Sequence, residues 1–249
     1  MTVRHDELTI EWLGYATVRL EHDDGRVVYL DPGRYGVLTG EWEPDSLDRL
    51  HPPGRNYEAR DADLVCVTHD HHYETDGIER VAGEDATIAV YESVKPRFID
   101  REDARFADLS GELVKLGEHD DRVLADVVVR TVPAYNEPDG PHTDADGEPY
   151  HPEGSGVGFH LTIGDTRVFW PGDSDVLEGH EELDVDVFLP PIGGSFTMDR
   201  EEAAELAEAL DPELLVPIHY DTFDALETDA GAFAADVATR GVPVALDVE

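Results

Sequence analysis

Apolar residues along this chain come in short β-branched runs broken by polar punctuation, a pattern that predicts strands rather than long helices. The runs fall at residues 8–13, 27–30, 64–67, 87–91, 127–132, 157–163, 166–170, 187–189, 214–218 and 242–246. Asp23-Asp24-Gly25 and Gly164-Asp165 each sit between two such runs, where hairpin turns belong. Two segments carry the helical period instead. Over residues 199–210, Ala203, Leu206, Ala207 and Leu210 share one face, Asp199 and Glu202 form a capping signal, and Pro212 closes the segment. Residues 229–240 form the second, with Gly241 where a helix would stop.

Strand-rich stretches ending in a helix, twice over, predict two sheets packed face to face with helices outside, an α/β architecture. With 249 residues, 40% of them hydrophobic, the chain can bury one substantial core, and a single domain over residues 1–249 is expected. Residues 34–57 and 135–155 read as ordered loops, long enough to carry function. Arg34, Tyr35, Trp42 and Tyr135 are their substrate-contact candidates, with loop packing as the plainer role for each.

Charge changes the picture of the surface. Asp and Glu number 58 against 18 Lys and Arg, a formal net charge of −40, and the only lysines are Lys95 and Lys115. Self-repulsion at this density would loosen a compact state in dilute buffer, whereas a Debye length of about 3 Å at 1 M salt screens most of it. The acidity is read as adaptation to concentrated salt, the mark of a halophile. A broad nucleic-acid interface is not expected, because phosphate neutralisation needs clustered basic residues. Cys66, the single cysteine, sits in an apolar run and reads as a small core residue with no disulfide. No secretory signal and no stretch of about 18 apolar residues is found, so a cytoplasmic protein without membrane contact is expected.

The chemistry concentrates where strands end. Directly after the run that finishes at Val67 comes Thr68-His69-Asp70-His71-His72-Tyr73-Glu74-Thr75-Asp76. In extended backbone His69 and His71 project to the same side and can converge on one ion. A lone histidine is usually a surface residue or a satisfied core group, but three within four positions are different. His5, His22, His51, His119, His142 and His180 lie in acidic loops or turns and are assigned no role. Asp173, after the strand that ends at Trp170, and His219, after another strand, are further ligand candidates, and His151 is the remaining one.

Taken in order, these motifs resemble the metallo-beta-lactamase superfamily, in particular its small cytoplasmic lactonase-like and phosphodiesterase-like hydrolases. The resemblance runs over nearly the whole chain: residues 10–17, Leu30-Asp31-Pro32, the histidine cluster, residues 132–136, His151-Pro152-Glu153-Gly154, Gly156-Val157-Gly158, residues 171–175, residues 190–198 and Pro217-Ile218-His219-Tyr220. It implies a four-layer αββα sandwich with a metal site along the upper edge of the sheets. By the same resemblance His69, His71 and His151 hold a first ion, Asp173 bridges to a second, and His219 ligates that second ion.

The chain departs from the family's His-x-His-x-Asp-His pattern, since Tyr73 and Glu74 stand where Asp and His belong. Three outcomes are open. Glu74 replaces the missing histidine as an oxygen ligand, making the second site more tolerant of Mn²⁺ or Fe²⁺; or Tyr73 turns outward and one ion remains; or His72 swings in, the least favoured because adjacent side chains in extended backbone point to opposite faces.

The expected function is a metal-dependent hydrolase of a small phosphodiester, lactone or related ester, with one or two Zn²⁺ ions. Bound water falls from a pKa of 15.7 to about 7 on catalytic zinc, so metal-bound hydroxide attacks without a Ser or Cys nucleophile. Asp173 and His219 are the expected catalytic residues and a small molecule the expected partner. The rival readings are a mononuclear metal-binding or sensory protein with little turnover, and a di-iron redox member of the same fold.

Overall fold

The computed structural model describes residues 2–41, 55–101 and 105–246. Two mixed sheets dominate it. The first holds β1 (Thr2–His5), β2 (Leu8–Gly14), β3 (Thr17–His22), β4 (Val27–Leu30), β5 (Ala62–Val67), β6 (Ala82–Tyr91) and β7 (Glu112–Leu116), side by side in chain order. Its first four strands are an antiparallel meander and its last four pair in parallel. The second sheet repeats the scheme with β8 (Asp121–Leu124), β9 (Val127–Ala134), β10 (Gly156–Ile163), β11 (Thr166–Trp170), β12 (Val187–Phe188) and β13 (Leu214–Leu215), again antiparallel first and parallel later. Few helices accompany the sheets: α1 (Thr75–Val81) packs on β5, while α2 (Arg200–Leu210) and α3 (Ala230–Thr239) pack on each other.

The apolar runs explain these elements. In β10, Phe159, Leu161 and Ile163 are fully buried, each stabilising the fold by about 1.5–3 kcal/mol relative to an exposed side chain. They join buried residues of the first sheet, including Leu20, Val28 and Ile88, in one continuous cluster. Asp199 caps α2 as its sequence predicts, accepting from the N–H groups of Glu201 and Glu202 while Glu202 closes the capping box. Cys66 is buried in β5.

Two runs form less strand than their pattern predicts. Only Leu214 and Leu215 of residues 214–218 ladder regularly, because Pro217 has no N–H to donate and the chain continues through a single bridge between Pro191 and Ile218. Residues 242–246 contribute one bridge, Leu215 to Val244. In the other direction, α1 forms where no helix was expected. Its Gly77 sits so close to Pro32 that an added Cβ would lie 2.3 Å from the Pro32 carbonyl oxygen, and this contact sets the chain leaving β4 against the helix.

Candidate metal centre

Three strand ends and one loop converge on a single point. β5 delivers the histidine turn, β11 is followed by Asp173, the segment after β13 reaches His219, and His151 lies in the loop between β9 and β10. Backbone pairing of His69 with Gly156, and the bond from Val157 N–H to the Thr68 carbonyl, join the two sheets at this edge. Five non-glycine residues around the point, Tyr15, Asp31, Arg34, Tyr35 and His219, hold left-handed backbone angles with φ between 43° and 70°. Such strain persists only where the surroundings over-determine it, and it clusters at functional sites.

Asp173 is at the centre. Its Oδ2 lies 3.6 Å from His69 Nε2 and 3.5 Å from His151 Nε2. His71 Nδ1 lies 3.0 Å from His151 Nε2, completing that side. Oδ1 of the same carboxylate faces the other way, 3.4 Å from His72 Nε2 and 3.4 Å from His219 Nε2, which are themselves 3.2 Å apart. The five histidines and Asp173 therefore form two donor sets that share one carboxylate.

The sequence expectation for the second set is corrected here. Glu74 belongs to neither donor set: its Oε2 accepts the Arg34 backbone N–H at 2.7 Å, at the start of α1. Tyr73 is fully buried, edge-on to Phe106. His72, ranked last from the sequence, is the residue that turns in. The alternation argument fails because the backbone is no longer extended after His69. The bonds from His72 N–H to the His69 carbonyl and from Tyr73 N–H to the Asp70 carbonyl close a turn, and in a turn positions three apart share a side. Arg101 fixes this turn from outside by donating to the carbonyls of Asp70, His71 and Tyr73.

A set of polar groups behind the histidines decides which nitrogen faces inward. Asp31 accepts from Thr68 N–H (2.8 Å), Thr68 Oγ1 (2.9 Å), Trp170 Nε1 (2.8 Å) and His72 Nδ1 (3.0 Å). With its proton given to Asp31, the Thr68 hydroxyl accepts from His69 Nδ1 at 2.9 Å. His151 Nδ1 is held by Asn136 Oδ1 and the Phe196 carbonyl. Asn136 is in turn anchored by Asp175, which also pairs with His142 Nδ1 at 2.6 Å. The bonds at Nδ1 of His69, His72 and His151 each leave an Nε2 lone pair aimed at the donor sets. Asp31, Asn136, His142 and Asp175 went unassigned in the sequence. Asp31, Asn136 and Asp175 lie within the motif stretches Leu30-Asp31-Pro32, 132–136 and 171–175, and His142 carries no such signal.

Electrostatics favours neutral ligands. Burial, followed by the neighbouring imidazoles, holds His69 and His72 well below the usual histidine value. Burial brings His151 to about 4 and His219 to about 3. Burial also pushes the Asp173 carboxyl well up and Asp31 to about 6. His69 Nε2 and Asp173 Oδ1 are buried with no hydrogen-bond partner. Orphaned donors of this kind, in nitrogen-rich sets closed by a carboxylate, fit divalent metal; without a cation they would carry an uncompensated desolvation cost.

The loop residues divide. Arg34 donates to the His71 carbonyl and stacks 4.4 Å from the Tyr35 ring centroid, beside the donor sets. The Tyr15 ring lies 4.5 Å from His219 and 5.0 Å from His72, and burial, with the Asp173 carboxylate behind it, raises its phenol well above the ordinary value. Tyr135 instead lines a cavity of about 500 Å³ with Glu118, Thr131 and His180, and none of the five site histidines lines that cavity. Trp42 lies outside the described residues.

Residues 9–219 match the beta-lactamase superfamily domain, and the chain belongs to that superfamily, with the metallo-beta-lactamase fold its motifs resemble. A UPF0173 metal-dependent hydrolase of Methanopyrus kandleri is 29% identical over 244 residues, covering 95% of this chain and 94% of its own. Another from Thermofilum pendens is 30% identical over 232 residues, covering 90% and 88%. The solved structure of a metallo hydrolase from the archaeon Ignicoccus hospitalis superimposes with a TM-score of 0.65 at 21% identity, covering 96% of this chain and 94% of that one.

Proposed function

We propose that this chain is a metal-dependent hydrolase of a small phosphodiester, lactone or related ester. In this reading His69, His71, His151 and Asp173 hold one ion, and His72, His219 and Asp173 hold a second. The observation that carries it is the shared carboxylate, with its two oxygens turned to opposite imidazole sets. Three imidazoles on one side favour Zn²⁺, and the second set admits Zn²⁺, Mn²⁺ or Fe²⁺. The presence of His72 in the second set supports two ions over the mononuclear sensor.

When bound, the metal lowers the pKa of a water and polarises the carbonyl or phosphoryl oxygen under attack. The chain supplies the rest. Asp173 orients the attacking water, and His219 stands beside the charge that develops. Arg34, a cation at the histidine turn stacked beside Tyr35, binds an anionic group of the substrate, and Tyr35, 41% exposed, walls the same entrance. The excess of carboxylates elsewhere suits a cytoplasm rich in salt.

The test is elemental analysis of protein purified without chelator, paired with turnover of bis(p-nitrophenyl) phosphate and a lactone panel in molar salt. About two metals per chain, with turnover lost on chelation and in Asp173→Ala, is the expected result. A metal-free chain, or turnover that survives Asp173→Ala, overturns the reading.

A further inference from the structure

Among the described residues a second cavity, of about 550 Å³, is lined by Lys95, Pro96, Arg97, Arg105, Phe106, Ala107 and Lys115. Its lining collects both lysines of the chain and two arginines, in a protein where acidic residues outnumber basic ones 58 to 18. Elsewhere the basic side chains are typically consumed by carboxylates, as Arg19 is by Asp61 and Arg167 by Asp186. These four are not. Lys115 lies 4.9 Å from the Phe106 ring centroid and Arg97 stacks on the exposed Phe98 ring at 4.5 Å. Among the described residues, the Asp108 carboxylate takes the backbone N–H of Arg105 and not its guanidinium.

Four exposed cations gathered at one cavity, amid so large an excess of carboxylates, offer a local positive potential that suits a small anion. A Debye length of about 3 Å at 1 M salt screens the cavity from the acidic remainder of the molecule, so these cations set the potential inside it. That remainder repels any long polyanion, so the matching ligand is small. The cavity volume is that of a small-molecule site, and Phe106 with Pro96 offers an apolar surface beside the cations. Phe106 also packs edge-on against the buried Tyr73, and none of the five site histidines lines this cavity.

We propose that this cavity binds a small phosphate monoester carrying at least two negative charges, at a site distinct from the metal centre. The probe is adenosine monophosphate, titrated calorimetrically into the metal-loaded protein at fixed ionic strength, with ribose 5-phosphate and inorganic phosphate in parallel. One equivalent of adenosine monophosphate is expected to bind. The Lys95→Ala/Lys115→Ala variant should raise Kd about ten-fold, as should the independent Arg97→Ala/Arg105→Ala variant, while Lys95→Arg/Lys115→Arg keeps Kd within two-fold. The His69→Ala/His151→Ala variant should leave Kd unchanged. Retention of ribose 5-phosphate binding assigns recognition to the phosphate, and tighter binding of the nucleotide assigns a share to Phe106. Equal affinity in the wild type and both cation-deleted variants, loss of binding in the histidine variant, or no heat with any of the three probes overturns the proposal.

Discussion

Replacing His72 with alanine separates the geometry described above from the pattern read off the sequence. His72 is fully buried, its Nδ1–H goes to Asp31 at 3.0 Å, and its Nε2 is 3.4 Å from Asp173 and 3.2 Å from His219. Truncation removes one of the four bonds to Asp31, an interaction of about 1.5–3 kcal/mol, and leaves the three from Thr68 and Trp170 in place. The fold should survive. The second donor set, by contrast, falls to His219 and Asp173 alone. Loss of an outer-shell partner typically weakens metal binding about 10–100-fold, and loss of a direct ligand should weaken it at least as much as the upper end of that range. Metal counted by mass spectrometry after dialysis against a weak chelator should therefore drop from about two ions per chain to about one. Glu74→Ala, which removes the acceptor of the Arg34 N–H and no member of either donor set, should keep both. The opposite result, one ion in Glu74→Ala and two in His72→Ala, would refute the placement of His72.

Further expectations rest on other contacts. Asp31→Asn, read by competition with a chromogenic chelator, should weaken the second ion about 10–100-fold and the first by less, because His69 reaches Asp31 only through Thr68. Gly77→Ala places a methyl 2.3 Å from the Pro32 carbonyl oxygen and should cost about 1–3 kcal/mol in urea unfolding, more than Gly83→Ala, whose nearest atom, the Ala62 carbonyl oxygen, is 2.8 Å away. His180, buried and held down to about 4 chiefly by desolvation, binds protons less readily folded than unfolded. Its stability contribution is thus intact above the unfolded value near 6.5 and is lost as pH falls from there towards 4, up to about 3 kcal/mol. His180→Phe should flatten the stability profile over that window, and a profile as steep as that of the wild type would rule the explanation out.

Much of this was legible from the residues. The runs at 64–67, 127–132, 157–163 and 166–170 lie within strands, and His69, His71, His151, Asp173 and His219 converge as their positions at strand ends and in the long loop imply. What escaped was decided by contacts distant in sequence. His72 turns inward because Asp31, 41 residues away, accepts its proton, and no period-two argument contains that bond. His142 looked like a loop residue in an acidic stretch, yet it is buried against Asp175, 33 residues on. α1, with only seven residues and a glycine inside, lacks the length of a helical signature and depends on its contact with Pro32.

The bond from Trp170 Nε1 to Asp31 has a consequence for how the molecule holds together. It spans 139 residues and ties β11 of one sheet to the end of β4 of the other, directly behind His72. The donor sets straddle the same seam, with His69, His71 and His72 from the first half of the chain and His151, Asp173 and His219 from the second. Neither half alone owns a complete set. A cation seated there would clasp the halves, so metal occupancy would add to the stability that the shared apolar core already gives to the docking of one sheet on the other.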